Sequence, residues 1–219
     1  MKAELKVLNR KAQESEKMKQ AFINSICHEI RTPLNSIVGF SDLIMNEDID
    51  EEMRREFPAE IQKSTLLLTR LVNSMLEVAN LDVSEDKLPC EPVDIRNMCM
   101  QEMEKISPKP RIKYQLDITE DTLFIPTNAQ YLTMVIEHLL NNANKFTEEG
   151  FIALGYKVNL SKNQICISVT DSGCGIPKEK QEEVFNRFSK LDTFVPGNGL
   201  GLYLCRLIVK RLDGEIKID

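Results

Sequence analysis

Between Leu5 and Val78 the apolar residues recur three and four positions apart, and beyond residue 90 that spacing is broken up by short β-like runs. That change of period limits the possible folds more than any single residue does. Leu5, Leu8, Ala12, Ser15, Lys19, Phe22 and Ile26 form one seam with a polar middle, which runs on through Ile30, Leu34, Ile37 and Val38 to about Met45. A second seam follows at Phe57, Ile61, Leu68, Leu71, Met75 and Val78, widened by Leu67, Val72 and Leu76. Such spacing places the side chains on one face of an α-helix. The polar "NEDIDEEM" between the seams is too short to be a domain linker. Two helices joined by a short turn make an antiparallel hairpin, and a lone hairpin leaves an apolar face in water. Two copies are therefore expected to dimerise into a four-helix bundle.

After "LDVSEDKLPCEP" helical patterns alternate with short β-like runs, "RIKYQLDI", "FIALGYKV" and "QICISVTDSG". The last two read as a hairpin around "NLSKN", flanked by helices from about Asn128 to Lys145 and from about Gly201 to Leu212. Strands and helices fall into separate layers, an α/β sandwich rather than a regular βαβ series. The expected fold class is thus multi-domain, α followed by α+β, with domains at 1–82 and 83–219. A chain of 219 residues can bury both cores.

Charge and composition exclude some functions. A formal net charge of -6 argues against nucleic acid as a partner, because phosphate rewards a basic surface. No apolar run reaches the length of a membrane span, and the N-terminus lacks a signal-peptide core. A cytoplasmic catalytic portion without membrane contact is expected, whatever tethers the parent protein upstream. The six cysteines are scattered with no C-x-x-C pair, which predicts reduced, mostly buried thiols rather than a metal or disulfide framework.

"SICHEIRTPLNSIVGF" sets His28 beside Glu29 and five residues before Pro33. Proline inside a helix removes a donor and crowds the carbonyl of Glu29, so a kink is expected just past the histidine. Alone, this also describes a bent helix with a solvated histidine. Three further clusters carry candidate chemistry. In "HLLNNANKF", Asn142 and Lys145 lie three apart on one helix face, an amide oxygen for a hard cation and an ammonium for a phosphate. In "DSGCGIP", Asp171 ends an apolar strand ahead of a glycine turn, where a carboxylate can accept from an exocyclic amine or make a plain Asx turn. In "GNGLGLYLCRLIVKRL", glycines run directly into a helix whose N-terminus suits phosphate. Leu202 stands where a dinucleotide fingerprint would need glycine.

Together and in this order, the clusters resemble those of the sensor histidine kinases of two-component signalling. His28-Glu29-Ile30-Arg31-Thr32-Pro33-Leu34 resembles the H box, "HLLNNANKF" the N box, "DSGCGIP" the G1 box, "EEVFNRFSKLD" the F box and "GNGLGL" the G2 box. The likeness spans roughly residues 18 to 219. It implies that His28 is the phospho-acceptor, that Glu29 accepts the ring's other proton, and that Thr32 orients water in a phosphatase reaction. Imidazole suits this role because it titrates near neutral pH. The resemblance further implies ATP and Mg²⁺, with Asn142 as metal ligand, Lys145 on phosphate and Asp171 reading adenine in a turn shaped by Gly173 and Gly175. Gly197, Gly199, Leu200 and Gly201 would border the ATP lid. Phe185 and Phe188, with Arg187 between them, would anchor it, although a core role fits the two phenylalanines equally. A receiver domain of a response regulator is the implied partner, and a sensor domain is implied outside the chain.

Three departures stand out. His138 occupies a position where the family more often has an amide or acid; it either contacts a metal-bound water or is a residue of the helix face without a role. The lid stretch "SKLDTFVPGN" is short, with Phe194 and Val195 available to pack it down. After "GEIKID" the family's last strand is missing, so the sheet edge and full activity are expected to need residues outside this chain. Two alternatives compete with this reading. A gyrase-like GHKL ATPase acting as a dimerisation switch usually has glutamate where His138 stands, and an inert scaffold would have lost His28, Asn142, Asp171 or the glycines.

Overall fold

The computed structural model describes residues 2–45, 50–83, 88–118, 122–161, 163–187, 189 and 199–219. These divide into two compact units, the first closing at Glu77 and the second opening at Val78. The first holds α1 (Lys2–Ile44), the short α2 (Glu51–Arg54) and most of α3 (Phe57–Val83). Asp50 caps α2 by accepting from the Glu52 backbone N–H. α1 runs unbroken through Pro33, so the expected kink does not end the helix; over 43 residues one missing bond is carried by its neighbours. The Phe40 and Phe57 rings lie 5.4 Å apart, joining the helices near the turn for about 1 kcal/mol beyond burial. Along α3, Phe57 and Leu71 are buried, Ile61, Leu68 and Met75 half-buried, and the flanking Leu67, Val72 and Leu76 exposed. The seam is the intrachain face and its flank is open.

In the second unit come β1 (Glu91–Asp94), α4 (Ile95–Glu104), β2 (Ile112–Asp117), β3 (Phe124–Thr127), α5 (Ala129–Phe146), β4 (Gly150–Asn159), β5 (Gln164–Asp171) and α6 (Gly201–Arg211). Two 3₁₀ turns, Lys178–Lys180 and Glu183–Phe185, precede α6. β4 and β5 form the expected antiparallel hairpin, Ile152 opposite Asp171 and Asn159 opposite Gln164. β2 lies parallel on the other side of β4, a pairing that needs the long connection through β3 and α5. β1 and β3 make a separate antiparallel pair with Pro92 opposite Pro126.

The core lies between this sheet and α4 and α5, where Ile95, Ile136, Leu140, Ile152 and Leu154 are almost wholly buried. Each contributes roughly 2 kcal/mol by leaving water. A second cluster joins Val78 and Leu81 of the last turns of α3 to Val135, Leu204, Cys205 and Ile208. The Cys205 thiol there donates to the Val135 carbonyl at 3.9 Å, linking α6 to α5.

Candidate active site

His28 is exposed on α1, with Glu29 half-buried beside it. Thr32 lies one turn on, and its Oγ1 donates to the His28 carbonyl at 3.3 Å. Ser36 repeats the contact onto the Thr32 carbonyl at 3.2 Å. Threonine in a helix readily adopts the rotamer that does this. The hydroxyl that the sequence reading reserves for water is therefore donating to backbone, with its lone pairs left to accept.

In the second unit α5 is aimed by its two faces and its cap. The Asn128 side chain accepts the Tyr131 N–H at 3.0 Å and donates to the Pro89 carbonyl at 2.8 Å, setting where the helix starts. Leu132, Val135, Ile136, Leu140 and Ala143 are buried, which turns Asn142 to a half-buried position and Lys145 outward. The Lys145 ammonium lies 4.7 Å from the Phe146 ring centroid.

Asp171 ends β5 and accepts the Gly173 N–H on Oδ1 at 2.8 Å, closing the turn. Ser172 accepts the Phe151 N–H at 2.8 Å and donates to the Glu149 carbonyl at 3.2 Å, pinning the end of β5 to the start of β4. A Cβ at Gly173 would lie 2.6 Å from the Phe146 carbonyl oxygen and 2.8 Å from Asp171 Oδ1. The last turn of α5 and the Asp171 turn thus abut with no room for a side chain. Gly175 takes φ +67, open to glycine at no cost. Asp171 and Gly173 thus meet the end of α5, the helix that carries Asn142 and Lys145. Ser172 is a positioning residue that sequence reasoning missed; its signal was a hydroxyl directly after a strand-ending aspartate.

The glycine cluster leads into α6. Gly199 takes φ +63 and Gly201 opens the helix. The Leu200 side chain is wholly buried, so its part is packing the foot of α6, and only its backbone can face a nucleotide. His138 sits against this foot: a Cβ at Gly201 would lie 3.6 Å from its Nδ1. Burial lowers the His138 pKa, opposed in part by the Glu137 carboxylate, which favours the neutral ring. It is a residue of the α5–α6 contact rather than of a bare helix face. Phe185 is likewise buried, with the Arg206 guanidinium 5.8 Å from its ring centroid, and Arg187 lies 4.8 Å from the Tyr203 centroid. Both cations tie the segment around the 3₁₀ turn to α6, with the Phe185 ring packed in the core. Phe188, Gly197, Phe194 and Val195 lie outside the described residues.

Among the described residues no group of three His, Cys, Asp or Glu could hold a metal ion. The donor set present, one half-buried amide oxygen near an exposed lysine, suits a hard cation shared with phosphates rather than one caged by protein. No described helix is long and apolar enough to cross a membrane.

Two families match the chain. The His Kinase A (phospho-acceptor) domain matches residues 18–83, and the histidine kinase-, DNA gyrase B- and HSP90-like ATPase matches residues 127–219. The hybrid signal transduction histidine kinase A of Dictyostelium discoideum is 30% identical over 230 aligned residues, covering 95% of this chain and 10% of that protein. The sensor histidine kinase GacS of Pseudomonas protegens is 28% identical, covering 99% of this chain and 25% of its own length. The chain therefore spans a minor part of these relatives. Among solved structures, full-length ShkA in complex with AMPPNP superposes with a TM-score of 0.64 at 27% identity, covering 90% of this chain and 41% of that one. Histidine kinase ThkA, solved with response regulator protein TrrA, shares the fold with a TM-score of 0.71 at 24% identity, covering 94% of this chain and 58% of that one.

Proposed function

A chain that joins these two domains in this order belongs to the sensor histidine kinases of two-component signalling, and from that premise we propose that it phosphorylates its own His28 from ATP and passes the group to an aspartate of a response-regulator receiver domain. In the first step an unprotonated ring nitrogen of His28 attacks the γ-phosphorus. The new N–P bond forms as the bond to the bridging oxygen of ADP breaks, and Glu29 accepts the proton from the ring's other nitrogen. The protein's task is positioning and charge complementarity. Asp171 accepts from the adenine amine, Lys145 meets phosphate, and the N-terminal end of α6 offers backbone N–H groups and a favourable dipole. Asn142 would hold Mg²⁺, with His138 in reach of a bound water; when bound, the ion neutralises phosphate charge. Thr32 supports a phosphatase role once its hydroxyl turns from the His28 carbonyl to water.

The observation that carries this reading is the junction at Gly173, where the N-box helix end and the adenine-reading turn meet within one side chain's width. The open flank of the hairpin supports a homodimer completed as a four-helix bundle. It includes a groove of 290 Å³ along α3 lined by Ala59, Lys63, Leu66, Leu67 and Arg70. We assign dimerisation and the acceptor to residues 1–82 and ATP binding to 83–219. A cytoplasmic setting and a sensor domain elsewhere in the full protein complete the proposal.

Incubation with Mg²⁺ and γ-labelled ATP, alongside a His28→Ala variant, tests it. Label that is acid-labile, alkali-stable and absent from the variant is expected. Steady ATP hydrolysis indifferent to His28 would instead favour the dimerisation-switch ATPase.

A further inference from the structure

The end of α5 is gripped from outside the helix. Helices leave their last carbonyls without partners, and a cation there also complements the dipole. Here the half-buried Lys109 supplies both: its Nζ donates to the Asn144 carbonyl and, at 3.0 Å, to the Thr147 carbonyl. The same segment holds the Asn144 side chain. Tyr114 Oη donates to Asn144 Oδ1 at 2.8 Å and itself accepts the Lys109 backbone N–H at 3.1 Å. Asn144 Nδ2 in turn donates to the Ser107 carbonyl at 3.2 Å. Asn144 stands between Asn142 and Lys145, and two residues on the Phe146 carbonyl faces Gly173. The turn gripped by Lys109 on one side is thus the turn that seats the Asp171 loop on the other.

We propose that Lys109, with Tyr114 and Asn144, is a positioning residue of the nucleotide site, acting through the last turn of α5 on Asn142, Lys145 and the Asp171 turn. The assignment rests on the kinase reading of that site. Both amine contacts of Lys109 are to backbone carbonyls of the helix end, so its loss should loosen the aim of that end.

The test is calorimetric titration of the full chain with a non-hydrolysable ATP analogue and Mg²⁺, for the parent, Lys109→Met, Lys109→Arg, Tyr114→Phe and Asn142→Ala, with the ligand-free melting temperature of each. Lys109→Met should weaken binding about tenfold at a temperature where it is fully folded, the size expected when a supporting partner is lost. Lys109→Arg, which keeps two donors on the carbonyls, should restore most of it. Tyr114→Phe removes one hydroxyl and should move affinity the same way by less, which decides the matter if Lys109→Met does not fold. A melting temperature lowered in folded Lys109→Met and Tyr114→Phe with affinity unchanged would mean ordinary helix capping and overturn the proposal, while loss in Asn142→Ala would leave the nucleotide site standing. A parent chain that binds no analogue, or an Asn142→Ala chain that binds as well as the parent, would overturn both readings.

Discussion

The two units meet water differently. On the hairpin, Val38, Leu66 and Leu76 are 51%, 53% and 57% exposed; in the second unit Ile152 and Leu154 are at 0%. Both sets arise from apolar residues spaced to share a face. What differs is the number of layers: α5 and α4 cover one face of a sheet, whereas α1 and α3 cover only each other's inner seam. A one-sided helix pair is half a core, and the other half is proposed to come from a second copy. The open unit carries the proposed acceptor and the closed unit the proposed nucleotide machinery, so the proposed chemistry follows the packing. A phospho-accepting side chain has to be reachable, and His28 is exposed. The turn proposed to read adenine has to hold its shape, and the Asp171 turn is fixed by the Gly173 N–H and by Ser172.

The contrast can be broken at its strong end first. Leu154→Ala, at a wholly buried position, should destabilise the second unit by about 2–5 kcal/mol. Thermal melts should show that transition fall and nucleotide binding fall with it. Gly173→Ala comes next. Its Cβ would meet backbone at the Phe146 carbonyl, which cannot swing aside as a side-chain tip can, so overpacking of about 1–3 kcal/mol is expected. Analogue affinity should drop with little change in hairpin helicity. Leu76→Ala sharpens the comparison from the open side. In a free hairpin its loss would be within about 0.5 kcal/mol, as for surface positions, but inside a bundle it should approach the lower end of core values, about 2 kcal/mol. Concentration-dependent melting would separate the two.

The smallest effect is one of pH. Burial pushes the Cys205 thiol up to about 12 and the Cys99 thiol up to about 11, the latter aided by the Glu102 carboxylate. A thiol whose pKa is raised on folding contributes stability that is complete below its unfolded value near 9 and is lost as pH rises toward the folded one. The second unit should therefore melt at progressively lower temperature from about pH 9 upward, and Cys205→Ala should flatten that decline. The expected burial of most thiols is corrected by the structure, where Cys27, Cys90, Cys166 and Cys174 are exposed, so alkylation under native conditions at pH 8 should label these four and spare Cys99 and Cys205.

Much of this was legible before any coordinates. The helices α1, α3, α5 and α6 and the β4–β5 hairpin follow from local period, and local period is what a sequence displays. β1 and β3 escaped because each is four residues long with a proline inside, and proline argues against a strand unless it sits at an edge. α4 escaped because Glu102 interrupts its apolar stripe. That carboxylate is buried all the same, with Oε1 held by Lys105 at 2.6 Å. The parallel pairing of β2 with β4 could not be read, since register between distant segments is set by the whole packing and not by either strand. At the site, Asn142, Lys145 and Asp171 are proposed from motif order, and the structure adds only where each one stands. The contact of His138 with the foot of α6, and the burial of Leu200 and Phe185, depend on how α6 lies on α5, which no local spacing encodes.

The central claim is that the acceptor-bearing unit is incomplete in one copy and the nucleotide-binding unit is not. Light scattering on the purified full chain, with and without charge placed at Leu67 and Val72 (Leu67→Glu, Val72→Glu), tests it most directly. A mass of twice the chain for the parent, falling to one chain in the double variant while analogue binding persists, is the predicted result. A parent that stays at one chain mass at every concentration examined, with its hairpin helicity intact, would contradict it.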